Sequence, residues 1–185
     1  MSTKAVVAYA DLDQYQRTIV VSDIHGDNEG FLKTLQKAEF CPQDALVIVG
    51  DLLEKGEHSL ELLRTVMHYA RTGNVYMTAG NNDTIFSEWY SNEVTDGEIH
   101  EYMNARENII LREIARELKM GWQTLDEVQA LKAAIPEHYA AELNFLNALP
   151  HILETEHFTF VHAGLKPGPL TEQDRDYCLT VKSFG

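Results

Sequence analysis

The sequence predicts an α/β domain built on a sheet that begins parallel, and three observations predict it. Short runs rich in β-branched and apolar residues recur at TIVVSD (18–23), ALVIVGD (45–51) and NVYMTAG (74–80). Each is too short for a helix and is bounded by Gly, Pro or polar residues. The first two runs are each followed by a stretch with apolar residues at helical spacing, and strand–helix–strand order makes successive strands parallel, with helices over the sheet. Finally, 185 residues that are 44% hydrophobic suit one domain with a sizeable core.

Taken in order, residues 1–17 (MSTKAVVAYADLDQYQR) carry a short apolar patch without a sustained period, and are expected to add an edge strand at most. After TIVVSD, Phe31, Leu32, Leu35 and Ala38 recur at helical spacing, and CPQD then turns the chain into ALVIVGD. In SLELLRTVMHYA, Leu60, Leu63, Met67 and Ala70 share one helical face, with Leu62, Val66 and Tyr69 beside it; RTGN ends that helix. From Thr84 to Leu149 the chain turns rich in Ala, Glu and Leu, which reads as an inserted helical segment (84–149) punctuated by Gly121 and Pro136. HILETE and HFTFVHAG (151–164) form a hairpin around Glu156 and His157. The tail, LKPGPLTEQDRDYCLTVKSFG, has no clear period and stops inside an apolar stretch, so the single domain, 1–185, is expected to be incomplete at its C-terminus.

Composition narrows the function classes. With 15 Lys+Arg against 29 Asp+Glu, the net charge of −14 disfavours nucleic-acid backbones and acidic membrane surfaces as partners. Cys41 and Cys178 have no CxxC spacing, and no apolar leader precedes them, which points to a reduced, cytoplasmic protein without a cysteine metal site. No apolar run reaches the roughly 18 residues a membrane helix needs. Composition leaves the oligomeric state open.

Each expected strand ends in residues that can bind a cation. TIVV leads to Asp23 and His25, ALVIV to Asp51, VYMTA to Asn81, and FTFV to His162. In an open α/β sheet the carboxyl ends of the strands gather on one side, so these chain-distant residues are expected to converge on one crevice. Asp23 and His25 are two apart, which in an extended chain puts them on the same face. The donors are O and N only, a set that suits Mn, Fe or Zn. Gly26, Gly50, Gly80 and Gly164 flank them and permit close backbone approach. Alone, Asp23 reads equally well as a helix cap and His162 as a core histidine; the conjunction of four strand ends is what argues for a site. His58, His68, His100, His138, His151 and His157 read as structural, as do Trp89 and Trp122.

With these residues assembled, the sequence resembles the calcineurin-like metallophosphoesterase superfamily, in its branch of bacterial serine/threonine phosphoprotein phosphatases and symmetrical diadenosine tetraphosphatases. SDIHG carries the DxHG motif, GDLLEKG stands for GDxxDRG, AGNND for GNH followed by an acidic residue, and VHAG for the HAG motif. The resemblance implies a β-sandwich of two mixed sheets flanked by helices, with two divalent metals at the strand ends. It makes Asp23 and His25 ligands of the first metal, Asp51 the bridge, and Asn81 and His162 ligands of the second. The reaction it implies is attack of a metal-bridging hydroxide on phosphorus. Lys55 and Asn82 would bind substrate, with Asn82, Asp83 and Glu54 as catalytic or supporting residues.

The chain departs from that pattern. Asn82 stands where the family has histidine, and an amide cannot supply the ~10²–10⁴-fold of general acid catalysis. Glu54 replaces the aspartate that orients that histidine, and Lys55 replaces arginine, keeping the charge without the bidentate fork. No histidine follows His162, so the second metal site lacks one ligand. Two readings stand: a metal-dependent phosphoesterase acting on a phosphorylated small molecule or phosphoprotein, by hydrolysis of a monoester or nucleotide phosphoanhydride, and a non-catalytic or weakly active phospho-ligand-binding relative.

Overall fold

A computed structural model describes residues 4–181. Its elements follow in the order β1 (Val7–Tyr9), β2 (Arg17–Val21), α1 (Asn28–Lys37), β3 (Asp44–Val49), α2 (Ser59–Ala70) and β4 (Val75–Thr78). A 3₁₀ turn at Asn81–Asp83 leads into five helices: α3 (Ile85–Tyr90), α4 (Asp96–Ala105), α5 (Ile110–Leu118), α6 (Leu125–His138) and α7 (Ala140–Asn147). Then come β5 (Ile152–Glu154), β6 (Thr159–Val161) and α8 (Arg175–Thr180).

The strands form two three-stranded sheets, β2-β3-β4 and β1-β5-β6. The first is parallel throughout the described residues, as the repeated strand–helix units dictate; only the second is mixed, with β1 parallel to β5 and β5 antiparallel to β6. The leader thus supplies an edge strand, and HILETE–HFTFV the hairpin. β3 explains the sandwich. Its Leu46 and Ile48 join the large core under the helices, while Ala45 and Val47 join a smaller cluster with Leu153 of β5 and with Ala8, Tyr76 and Phe160. Alternate residues of one strand therefore seal two interfaces, which is why ALVIV reads as continuous apolar rather than alternating. At its entry, Arg17 forks onto Asp44 (Nε–Oδ1 2.7 Å, Nη2–Oδ2 3.0 Å), and that pairing holds the Asp44 carboxyl down at about 2.

Helix faces differ from expectation in detail. Phe31 and Leu35 of α1 are buried, but Leu32 is 39% exposed; in α2 the sealed residues are Leu60, Leu62, Leu63 and Val66, with Met67 only partly buried. The N-terminus of α2 has no cap from its own neighbour His58; instead Glu113 of α5 accepts from the amides of Ser59 and Leu60, both at 2.9 Å. Pro136 does not interrupt α6. It lies in the last turn, and because proline has no N–H, the carbonyl of Lys132 four residues back is released from the ladder and accepts from Tyr90 Oη at 2.5 Å. Trp89 is fully buried, its Nε1 donating to Asp96 Oδ1 at 2.8 Å. The tail, expected to be irregular, holds α8, capped by Asp174, which accepts from the Tyr177 amide. The rest of the expected terminal element, 182–185, lies outside the described residues. No helix among the described residues is long and apolar enough to cross a membrane.

Candidate metal centre

The β2–β3 pairing does not stop where the strands do. The amide of Asp23 donates to the Gly50 carbonyl (3.1 Å), that of His25 to Asp51 (3.0 Å) and that of Gly26 to Leu52 (2.9 Å). This continued ladder sets Asp23 and His25 beside Asp51. They do not arrive there in extended conformation, as their spacing suggests; Asp23 and His25 are left-handed, with φ of 53° and 51°. Asp51, Glu54 and Lys55 are left-handed too, so five of the eight non-glycine residues with positive φ among the described residues lie in these two loops. Backbone strain of this kind persists only where the surroundings over-determine it, and it concentrates at functional sites. Capping of α1 falls to Asp27, which accepts from the Gly30 amide at 2.9 Å and leaves Asp23 uncommitted.

Asp23, His25 and Asp51 each bring one ligand atom to within 4.8 Å of the others. His25 Nε2 is 3.7 Å from Asp23 Oδ1 and 3.6 Å from Asp51 Oδ2, while His162 Nε2 is 3.5 Å from Asp51 Oδ1. The Asp51 carboxylate therefore stands between two imidazoles, one to each oxygen. His25 Nδ1 lies 3.1 Å from the Leu53 carbonyl and His162 Nδ1 3.0 Å from that of Val49. A carbonyl only accepts, so each Nδ1 carries a proton, and that bond fixes the ring with its Nε2 toward Asp51. Asn81 lines the same cavity, of about 610 Å³, with Asp23, Asp51 and His162. Gly50 and Gly80 make the approach possible: a Cβ on Gly80 would lie 2.4 Å from Asp51 Oδ1, and one on Gly50 2.6 Å from His162 Nδ1.

Asn82 and Lys55 are turned to this cluster. Asn82 donates to Asp51 twice, from its backbone N to Oδ1 (3.0 Å) and from Nδ2 to Oδ2 (2.6 Å). Lys55 Nζ is 2.7 Å from His25 Nε2 and donates to it. The cluster thus accepts a point cation among its own lone pairs, and its O/N donors fit a divalent ion such as Mn, Fe or Zn. A family model for calcineurin-like phosphoesterases matches residues 16–180. The chain belongs to that family. Among curated relatives it is 28% identical over 151 residues to the symmetrical bis(5'-nucleosyl)-tetraphosphatase of Chromobacterium violaceum, covering 80% of this chain and 43% of the relative. It is 30% identical over 153 residues to the enzyme of the same name from Actinobacillus succinogenes, covering 81% and 45%. The chain thus spans less than half the length of these relatives. A crystal structure provisionally named a diadenosine tetraphosphatase superposes with a TM-score of 0.59 at 26% identity, over 93% of this chain and 61% of that one.

Two residues that the motifs single out point away from the Asp23–His25–Asp51 cluster. Asp83 is buried and accepts from the amides of Leu52 (2.9 Å), Leu53 (3.1 Å) and Gly80 (2.8 Å), which latches the β3 loop to the β4 loop. Burial raises its carboxyl to about 6 against the pull of those amides. Glu54 makes no hydrogen bond to Asn82; it accepts from Tyr102 Oη at 2.7 Å and the Ile110 amide at 3.3 Å, and burial pushes its carboxyl up to about 7. Tyr102 and Ser59, whose Oγ accepts from the Glu54 amide at 3.0 Å, support the site without any motif to announce them. Of the six remaining histidines, His151 accepts from the Val6 amide through Nδ1, His100 meets the Gln123 carbonyl, and His157 pairs with Asp13, all away from the cluster.

Proposed function

We propose that this chain carries the centre of a metal-dependent phosphoesterase, with Asp23, His25 and Asp51 holding one divalent ion and Asp51, Asn81 and His162 a second. The observation that carries the reading is the Asp51 carboxylate set between two imidazoles, each locked to a backbone carbonyl through Nδ1 and each presenting Nε2. When bound, such ions lower the pKa of water and offset charge on phosphoryl oxygens. The chain's own residues do the rest. Asn82 fixes both oxygens of Asp51, and Lys55, on its flexible stem, supplies the point charge that holds phosphate.

The substrate class we favour is a nucleotide phosphoanhydride. Asn82 cannot deliver a proton, so the site suits a leaving group that needs none. A departing phosphate is a weak base, whereas the alkoxide of a phosphoserine is a strong one. The names of the curated relatives point the same way. The test is hydrolysis of diadenosine tetraphosphate and of an aryl phosphate with added Mn²⁺, by the wild type and by Asp51→Ala. We expect the variant to be at least ~10²-fold slower; a wild type no faster than the variant, with no bound metal by elemental analysis, would leave a phospho-ligand-binding role instead.

A further inference from the structure

A second cavity, of about 380 Å³, opens beside the ligand cluster and is lined by Glu54, Lys55, Asn82 and the loop between α4 and α5 from Arg106 to Ile109. Lys55 and Asn82 also line the cavity that holds Asp23, Asp51 and His162, so the two spaces share a wall. The inserted helical segment contributes one cation to this space, Arg106. Its guanidinium lies over the Tyr102 ring, 4.4 Å from the centroid, and forms no salt bridge among the described residues. Its backbone is anchored. Arg112 Nη1 donates to the Arg106 carbonyl at 2.5 Å, and two residues on Asn108 is stitched to Lys55, its carbonyl accepting from the Lys55 amide (2.9 Å) and its Nδ2 donating to the Lys55 carbonyl (3.2 Å). In a chain of net charge −14, an arginine held on an aromatic face at the rim of a cavity, close enough to draw on the Glu54 carboxyl and the Tyr102 hydroxyl but in no salt bridge among the described residues, is placed to meet an anion.

We propose that Arg106 is a specificity-determining residue that, with Lys55, holds a second phosphoryl group of the substrate and so selects phosphoanhydrides over single phosphate esters. The inference rests on the hydrolytic reading above and narrows its substrate class. Because Lys55 and Asn82 line both spaces, a phosphoryl group at the Asp23–Asp51–His162 cluster would have its neighbour, one bridging oxygen on, directed along this shared wall toward Arg106. A nucleobase fits it poorly, because the Tyr102 ring is already covered by Arg106 and Ile109 is the only aliphatic side chain among the lining residues. Two carboxylates oppose an anion there. Glu54 is sealed and already accepts from Tyr102 and Ile110, and its burial favours the neutral form. Glu107 is exposed at the rim, where water screens it.

The test compares two ligands that differ by one phosphoryl group, AMP and α,β-methylene-ADP, titrated calorimetrically into the full chain in excess Mn²⁺. The expected result is that Arg106→Ala weakens α,β-methylene-ADP about tenfold and AMP less than twofold, with Arg106→Lys between the wild type and Arg106→Ala. Arg106→Gln, which keeps a planar hydrogen-bonding head group without the charge, serves as a second variant, with circular dichroism to confirm folding. Equal loss for both ligands, loss for neither, or a wild type that binds the two alike overturns the proposal. Binding that discriminates through Arg106 in a protein that hydrolyses neither diadenosine tetraphosphate nor aryl phosphate sinks the hydrolytic reading and leaves the subsite standing; hydrolysis with no discrimination does the reverse.

Discussion

Asn82 spends its carboxamide on Asp51 at 2.6 Å, so position 82 orients that carboxylate and has no proton to give. Replacing it restores proton chemistry only in part. In Asn82→His an imidazole enters beside Asp51, but Glu54 cannot orient it, since both its oxygens are taken by Tyr102 and Ile110. We expect kcat for an alkyl monoester to rise about tenfold, well below the ~10²–10⁴ of a fully oriented acid, with a smaller change for diadenosine tetraphosphate. An equal change for both substrates would contradict this account of leaving-group demand. Glu54 also carries a pH signature. Its carboxyl is raised from 4.5 in the unfolded chain to about 7 in the fold, so between these values the folded state holds a proton that the unfolded state has released. Stability therefore falls as pH rises from about 4.5 to 7 and is level above. Urea midpoints in chelator should show this decline, and Glu54→Gln should remove about 3 kcal/mol of it. A parallel decline in the variant would assign it elsewhere, for instance to Asp83, which titrates in the same direction with its carboxyl raised to about 6.

At the scale of elements, the site is the junction of two loops that follow β3 and β4, and Asp83 is what joins them. Three buried amides, those of Leu52, Leu53 and Gly80, share its two oxygens. Asp83→Ala leaves all three without an acceptor, and we expect a loss of about 3–5 kcal/mol in urea denaturation, with metal affinity falling because Asp51 and Asn81 ride on the latched loops. A stability change under about 1 kcal/mol would mean that water replaces the carboxylate, contrary to its burial. Much at this scale was legible beforehand. The parallel strands and the clustering of Asp23, His25 and Asp51 past strand ends announce themselves because a strand buried on both faces must be apolar and its end must turn through polar residues. Other features left no local trace: the left-handed backbone at Asp23 and His25 is fixed by pairing with the β3 loop, and the capping of α2 by Glu113 crosses 53 residues of chain. Arg106 and Tyr102 were equally silent, since their relation to Lys55 exists only once the inserted helices fold back onto it. Pro136 misleads in the other direction, as a helix breaker whose freed carbonyl Tyr90 occupies.

For the molecule as a whole, two separate sheets pack through β3, whose two faces are both buried, and the Asp51 carboxylate just past its end belongs to a chain of net charge −14. Asp23 and Asp51 lie on either side of His25, each within 3.7 Å of its Nε2, an arrangement of anions that a divalent ion stabilises and that the unfolded chain cannot reproduce. Ion binding to the native state alone must then raise stability by mass action. At about 100 times the dissociation constant the gain is about 2.7 kcal/mol, which for a chain of this size is a rise in Tm of about 5–10 °C. Scanning the wild type in chelator and in saturating Mn²⁺ should show that rise, and Asp51→Asn should abolish it while unfolding cooperatively at its own Tm. Because Asp51 contacts both histidines, losing it should cost more of the shift than His162→Ala, which leaves Asp23, His25 and Asp51 together. If His162→Ala erased the shift as completely as Asp51→Asn does, the first site would not bind alone, and the division of ligands between two ions would have to be redrawn.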